Sequence, residues 1–282
     1  MDGMQLTFLG TNSLVFKKGD TSLMVDPHFS RPSFFSLAGK IEPDSTQISA
    51  GLKAAGFEIL NAVLLTHTHY DHAMDAALVV QQAGGNLYGS HSAGNLAVGA
   101  GLQPKDYQIV TPGDHLDLGD FQVGFLPSRH IAFPPPLRWL LPQDGTIHHP
   151  LSSPAWFWDY HCGEVFAIQI DHVLVFGSAA CEPGAYAGLD IHTVVLGIGG
   201  LETRSRAYLK QLYEETILKT SAKRVLLSHW DNFFQPLEKG CVRLEWAGKT
   251  IRELESLGDQ FGQRIQVLPY GEAVNIDGQG SQ

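Results

Sequence analysis

The sequence predicts an α/β protein arranged as a four-layer sandwich, with two sheets face to face and helices on their outer sides. Three observations predict it. The chain has 282 residues, 44% hydrophobic and 17% charged, enough to bury the core of one large domain. Each half supplies several short apolar strands followed by flanking helices. Residues 62–66, Ala-Val-Leu-Leu-Thr, form a short apolar run rich in β-branched residues, as a strand covered on both faces requires. We therefore read residues 1–282 as a single domain of two βα halves, interrupted by an insertion at 127–160.

The elements are taken in chain order. Residues 5–9, 13–16 and 22–25 read as strands, with Gly19-Asp20 turning between the second and third. Residues 45–55 read as a helix. After the strand at 62–66, residues 71–83 read as one helix, with Met74, Ala77, Leu78 and Gln81 at helical spacing. Ser90 beside His91 marks a helix start. In the second half, 164–170, 173–176, 193–196 and 225–228 read as strands, and 204–218 and 245–261 as helices. Residues 127–160 fit neither period. They hold seven of the 15 prolines, including Pro134-Pro135-Pro136, and three of the five tryptophans, Trp139, Trp156 and Trp158. A loop of this length inside a compact domain is usually functional; we read it as a lid over a site, or else as a subunit interface in a homo-oligomer.

Composition excludes several classes of partner. Nineteen basic residues against 29 acidic ones give a formal charge of −10, which disfavours a nucleic-acid or anionic-membrane surface. Three separated cysteines, Cys162, Cys181 and Cys241, make neither a disulfide framework nor a CxxC site and suit a reducing compartment. The first residues carry no basic and apolar leader, and no apolar run reaches the roughly 20 residues a span requires. A cytoplasmic location and a small-molecule substrate are the expectations.

The chemistry concentrates after the buried strand, in Thr66-His67-Thr68-His69-Tyr70-Asp71-His72. His67 and His69 alternate in an extended segment, and Asp71 and His72 open a helix whose first turn accommodates a carboxylate. Imidazole and carboxylate ligands suit zinc, with manganese or iron as alternatives. One histidine at a strand end is an ordinary polar residue; three with an aspartate are hard to explain that way.

This His-x-His-x-Asp-His segment resembles the signature of the metallo-β-lactamase superfamily. The opening Phe8-Leu9-Gly10-Thr11-Asn12-Ser13 and Val25-Asp26-Pro27 resemble its start, and the likeness runs over essentially the whole chain. The late Ser228-His229-Trp230-Asp231 is most similar to the branch of L-ascorbate-6-phosphate lactonase, beside that of N-acyl-phosphatidylethanolamine phospholipase D. The resemblance implies a metallo-β-lactamase fold and two divalent metal ions, most readily zinc. It places His130, after a strand at 121–127, with His67 and His69 in one site. It places His229 with Asp71 and His72 in the other. Asp26 would lie behind the ligands and orient one of them.

One position departs from the pattern. The family's bridging aspartate is replaced by Ser178, in Phe176-Gly177-Ser178, which implies a weaker second site; Cys181 and Glu182 are the nearby substitutes. The implied activity is hydrolysis by a metal-activated water, with Asp71 and His72 as catalytic groups, on a small carbonyl substrate such as a lactone, ester or amide. A phosphodiesterase or phospholipase-D-like hydrolase is the alternative, and a non-catalytic metal-binding or sensor protein is the alternative of another class. Arg129, Arg138 and Arg204 are too scattered to clamp a phosphate. His161, Trp230 and Asp231 are candidates to lie behind the site or against substrate, while His148 and His149 read as surface residues.

Overall fold

The structure, a computed structural model, describes residues 3–135, 144–220, 222–237 and 240–276. Its strands are, in chain order, β1 (Gln5–Phe8), β2 (Leu14–Lys18), β3 (Thr21–Val25), β4 (Lys40–Ile41), β5 (Ala62–Leu64), β6 (Asn86–Gly89), β7 (Tyr107–Ile109) and β8 (His115–Leu118). Then come β9 (Phe121–Pro127), β10 (Ala155–Trp156), β11 (Phe166–Ile170), β12 (Val173–Phe176), β13 (Thr193–Gly197), β14 (Arg224–Ser228), β15 (Arg264–Val267) and β16 (Ala273–Asn275). Two seven-stranded sheets result, β16-β1-β2-β3-β5-β6-β7 and β15-β14-β13-β12-β11-β9-β8. The helices are α1 (Ser45–Ala55), α2 (Tyr70–Ala73), α3 (Ala76–Ala83), α4 (His91–Gly99), α5 (Arg206–Tyr213) and α6 (Ala247–Phe261).

Side-chain alternation builds the layers. Ala62 and Leu64 point into the core shared by the sheets, with Phe8, Phe125, Ile168 and Leu196. Val63, between them, points the other way, into a second core with Ile48, Leu52, Val79 and Val80 of α1 and α3. A strand covered on both faces has no solvent side, which is why its sequence runs apolar without alternation. Leu209, Leu212, Ile251 and Leu254 bring α5 and α6 onto the large core. The expected αββα sandwich is what the chain forms.

Two expected elements differ. The helix read at 71–83 is two helices, α2 and α3, separated at Met74-Asp75. Asp75 is fully buried there, and its carboxylate accepts from the Phe29 N–H (2.6 Å), the Ser30 N–H (2.8 Å) and the Ser30 hydroxyl (2.6 Å). A long-range bond of this kind leaves no trace in the periodicity. The helix read at 204–218 is α-helical only through Tyr213 and continues as a π turn, Glu214–Leu218. Within the insertion, β10 pairs antiparallel with β4, and a 3-10 turn comes next at Phe157–Asp159. Trp139 and Arg138 lie outside the described residues. Among those described, no helix is long and apolar enough to cross a membrane.

The chain ends of β3, β5, β9, β12 and β14 gather at one edge of the sandwich, where open α/β sheets place their sites. A buried ion pair ties this edge together. Arg31, after β3, donates to Asp231, after β14, at 2.7 Å, and neither side chain is exposed to solvent. The other carboxylate oxygen of Asp231 accepts from the Thr11 N–H at 2.8 Å.

Removing one partner leaves the other charge buried and unpaired. Arg31→Ala is therefore expected to destabilise the fold by about 3–5 kcal/mol in a denaturant titration; a loss under about 1 kcal/mol means the pair is solvated. Burial pushes the Asp75 carboxyl up to about 6 from 3.8, against the pull of its hydrogen bonds from Ser30 and Phe29. A folded value above the unfolded one means that its contribution is present below pH 3.8 and fades as pH rises through about 6. In Asp75→Asn that segment of the stability–pH curve should flatten, measured as unfolding free energy at pH 4, 5, 6 and 7.

Candidate metal centre

The loop after β5 begins on Thr66, a residue that links a buried carboxylate to the first histidine of the site. Asp26, buried at the end of β3, accepts from the Thr66 N–H (2.8 Å), the Thr66 hydroxyl (2.6 Å) and the Asn12 amide (2.8 Å). Since the hydroxyl gives its hydrogen to a carboxylate, it faces His67 Nδ1, 3.0 Å away, as an acceptor. His67 is thereby fixed with its hydrogen on Nδ1 and its lone pair on Nε2. That Nε2 is buried and meets no hydrogen-bond partner.

The same logic sets two more rings. His72 Nδ1 lies 2.9 Å from Asp26 Oδ2, so it carries the hydrogen and leaves Nε2 bare. His130 Nδ1 lies 2.9 Å from the Ile131 carbonyl, another obligate acceptor, with the same consequence. A metal-binding histidine is ordinarily oriented in this way by a carboxylate or carbonyl behind it. Three separate groups thus aim three Nε2 lone pairs inward, the arrangement a divalent cation fits.

The ligand atoms of His67, His69 and His130 lie within 4.8 Å of one another, and so do those of Asp71, His72 and His229. Asp71 Oδ2 stands between His72 Nε2 (3.6 Å) and His229 Nε2 (3.4 Å). The His67 and His72 rings, one from each triad, are 4.0 Å apart, so the triads adjoin. Asp26 also falls near His67 and His72, but its oxygens already accept four donors. It holds the ligands from behind.

Electrostatics agree with cation binding. Burial, followed by the neighbouring imidazoles, drives His67 and His130 well below the usual histidine range, which keeps their rings neutral. Burial works against ionisation of Asp71, yet His72 and His229 outweigh it and hold the carboxyl below its usual range. Burial also opposes protonation of His72, but Asp71 and Asp26 on either side raise it. Without a cation, His72 draws a proton to balance these two carboxylates.

Strained backbone and missing side chains shape the same edge. Among the described residues, five other than glycine have positive φ, and four of them, Thr11, Asp26, Arg31 and His229, lie here. Such conformations cost of the order of 1–3 kcal/mol each and persist only where surrounding contacts enforce them. His229, at φ 54°, is held by its N–H on the Thr11 carbonyl at 2.6 Å. Gly177 is required because a Cβ would stand 2.1 Å from Thr66 Oγ1, and Gly199 because one would stand 2.8 Å from His229 Nδ1.

The remaining candidates take varied places. Ser178 is buried, and its hydroxyl accepts from the Ile131 N–H at 3.0 Å, so it braces the loop that carries His130. Glu182 pairs with Arg129 at 2.7 and 2.9 Å on the surface, and Cys181 belongs to neither triad. Asp231 serves the Arg31 pair, and Trp230 is buried against Phe8, with ring centroids 5.5 Å apart. The His161 ring lies against Gly145, while its carbonyl and that of Cys162 accept from the Thr68 hydroxyl. His148 and His149 are exposed.

Sequence reasoning assigned no role to Thr66, Asn12, Arg31, Gly177 or Gly199. A threonine closing an apolar strand directly before His67 was a usable signal. Arg31 had none, since its partner is 200 residues away. His28 is buried against Tyr70, neither nitrogen has a partner, and burial pulls it down to about 3.

Comparison with known proteins agrees with this geometry. The model of the metallo-beta-lactamase superfamily matches residues 6–229. A UPF0173 metal-dependent hydrolase of Christiangramia forsetii is 30% identical over 121 residues, 43% of this chain and 45% of that protein. Another, of Pyrobaculum calidifontis, is 23% identical over 171 residues, 59% of this chain and 69% of the relative. The chain thus matches about half the length of the first of these relatives. Among solved structures, a metallo hydrolase of Ignicoccus hospitalis aligns at TM-score 0.59 and 18% identity, over 99% of this chain and 100% of the other. An isothiocyanate hydrolase from Delia radicum gut bacteria aligns at TM-score 0.57 and 16% identity, over 97% and 99%. At such identities the likeness is one of fold. With a family model that spans both triads and most of the chain, the protein belongs to the metallo-beta-lactamase superfamily.

Proposed function

We infer that the protein is a metal-dependent hydrolase that binds two divalent cations and cleaves a small carbonyl substrate, a lactone or a related ester or amide. The observation that carries this reading is the pair of adjoining triads, His67-His69-His130 and Asp71-His72-His229. Zinc suits the donors best, since each triad offers three nitrogen or carboxylate ligands. Such a cation pair, when bound, polarises a substrate oxygen and lowers the pKa of water from about 15.7 towards 7.

The protein's own groups supply the rest. Asp71, kept ionised, would accept a hydrogen bond from the nucleophile and orient it. Asp26 holds the His72 ring by its Nδ1 hydrogen. Ser178, in place of a bridging carboxylate, leaves the second triad with fewer anionic ligands, and we expect weaker binding there.

A carbonyl substrate is favoured over a phosphodiester by the arginines. Arg129 is paired with Glu182, Arg31 with Asp231, and Arg204 donates to the Ala132 carbonyl at 2.8 Å while stacked over Tyr208. Arg31 is buried in its pair and Arg204 is held by the Ala132 carbonyl, Arg129 is committed only to an exposed pair, and Arg138 lies outside the described residues. The lactonase-like branch is the finer reading, carried by Ser228-His229-Trp230-Asp231. The names of the relatives, metal-dependent hydrolases and an isothiocyanate hydrolase, support hydrolysis without fixing a substrate.

Zinc- or manganese-loaded protein, assayed against lactone, ester, amide and phosphodiester panels, should turn over a carbonyl substrate. His67→Ala and His130→Ala should each lose the metal of the three-histidine site by elemental analysis, with activity falling at least 100-fold. Full metal retention in both variants refutes that ligand set. Ser178→Asp should bind the second ion more tightly in a metal titration, and unchanged affinity would place residue 178 away from the bridge.

A further inference from the structure

We propose that a row of aromatic rings leading outward from His229 is a subsite for the apolar chain of the substrate. The substrate class is then a carbonyl compound carrying a straight acyl or flat hydrocarbon group. The proposal rests on the hydrolase reading for the identity of the reacting end, but the subsite itself is read from other residues.

The row begins at the centre. Phe233 meets the His229 ring edge-on at 5.3 Å, and Phe234 is next at 4.4 Å. Phe34 stands perpendicular to Phe234 at 5.6 Å, and Phe35 lies 6.0 Å beyond. The inner two rings are half-buried, with Leu37 and Leu237, on the helix-side core. The outer two are open to solvent, Phe34 at 66% and Phe35 at 86%.

A second row starts from the first turn of α2. Tyr70, next to Asp71, faces Phe157 at 6.3 Å, which faces Trp158 at 5.0 Å, and Trp158 stacks on Trp156 at 4.7 Å. Trp156 pairs with Lys40, two residues past the turn Phe34–Ala38.

Exposed rings in a contiguous patch mark a binding surface, because each forgoes the free energy of burial until something covers it. The occupant is set by continuity and charge. The patch runs into the metal centre instead of standing apart from it, as a partner-docking face would. Along the first row the ring contacts run from His229 through Phe233, Phe234 and Phe34 to Phe35 with no charged side chain between them, and Lys40 is met only beside Trp156, at the end of the second. An uncharged hydrocarbon chain, attached to a carbonyl held at the triads, satisfies both.

The test is isothermal titration of zinc-loaded full-length protein with butanoate, octanoate and dodecanoate, the carboxylates that hydrolysis of chain-bearing esters would release. Covering a methylene is worth about fourfold in affinity. Octanoate, four methylenes longer, should bind roughly 250-fold more tightly than butanoate where every added methylene is covered. Phe34→Ala and Phe234→Ala should each remove about tenfold at octanoate and leave butanoate unchanged; Phe34 is exposed, so its variant is expected to fold.

Equal affinity for all three acids, or a series untouched by both variants, overturns the proposal. So does light scattering that finds a dimer which Phe34→Ala dissociates, since the patch is then a subunit interface. Turnover is read separately. Chain-length-dependent binding without turnover of any lactone, ester or amide sinks the hydrolase reading and leaves the subsite. Turnover with no chain-length dependence sinks the subsite alone.

Discussion

A carboxylate with no water to solvate it holds this site together. Asp26 is wholly buried, and its oxygens accept from Asn12, from the backbone and hydroxyl of Thr66, and from His72. Such a charge is tolerated only where donors replace the hydration it has lost. Here the donors come from separate segments of the amino-terminal half. Satisfying one anion therefore fixes the loop after β1, the start of the histidine loop and the first helical turn after it. The chain reverses at φ 45° to bring Asp26 there, a strain the four hydrogen bonds offset.

The consequence is electronic as well as geometric. Thr66 passes the preference of Asp26 on to His67, because a hydroxyl that donates to a carboxylate is left to accept from the ring. His72 receives the same instruction directly, and His130 receives it from a backbone carbonyl. At His67 and His130 the inward lone pairs are set before any cation arrives, whereas His72 gives up a proton to bind one. Preorganised ligands of this kind lower the cost of ordering on binding. Gly177 lets β12 approach close enough to close the arrangement.

Ser178 is informative for what it does instead of ligation. Its hydroxyl anchors the Ile131 N–H, one residue past His130, so the side chain that lacks a carboxylate still positions a ligand. Asp231 and Trp230, close behind His229 in the chain, are likewise structural. One neutralises Arg31 and the other packs on Phe8. Proximity in sequence to a ligand did not separate these supporting roles from contact with substrate.

The layered α/β architecture was legible because burying a strand on both faces forces an unbroken apolar run, as at 62–65. The first four ligands were legible because four chemically apt side chains fall within six residues. Likeness to a known signature extended that reading to His130 and His229. Local pattern could not show the break at Asp75, the Arg31–Asp231 pair across 200 residues, or the course of the rings from His229 to Phe35. Those depend on which distant segments the two sheets bring to one edge. Residue type and spacing thus determined which atoms are able to bind a cation. Only tertiary structure decided which nitrogen each ring presents, because the group behind it is placed by the fold and not by the spacing of the histidines.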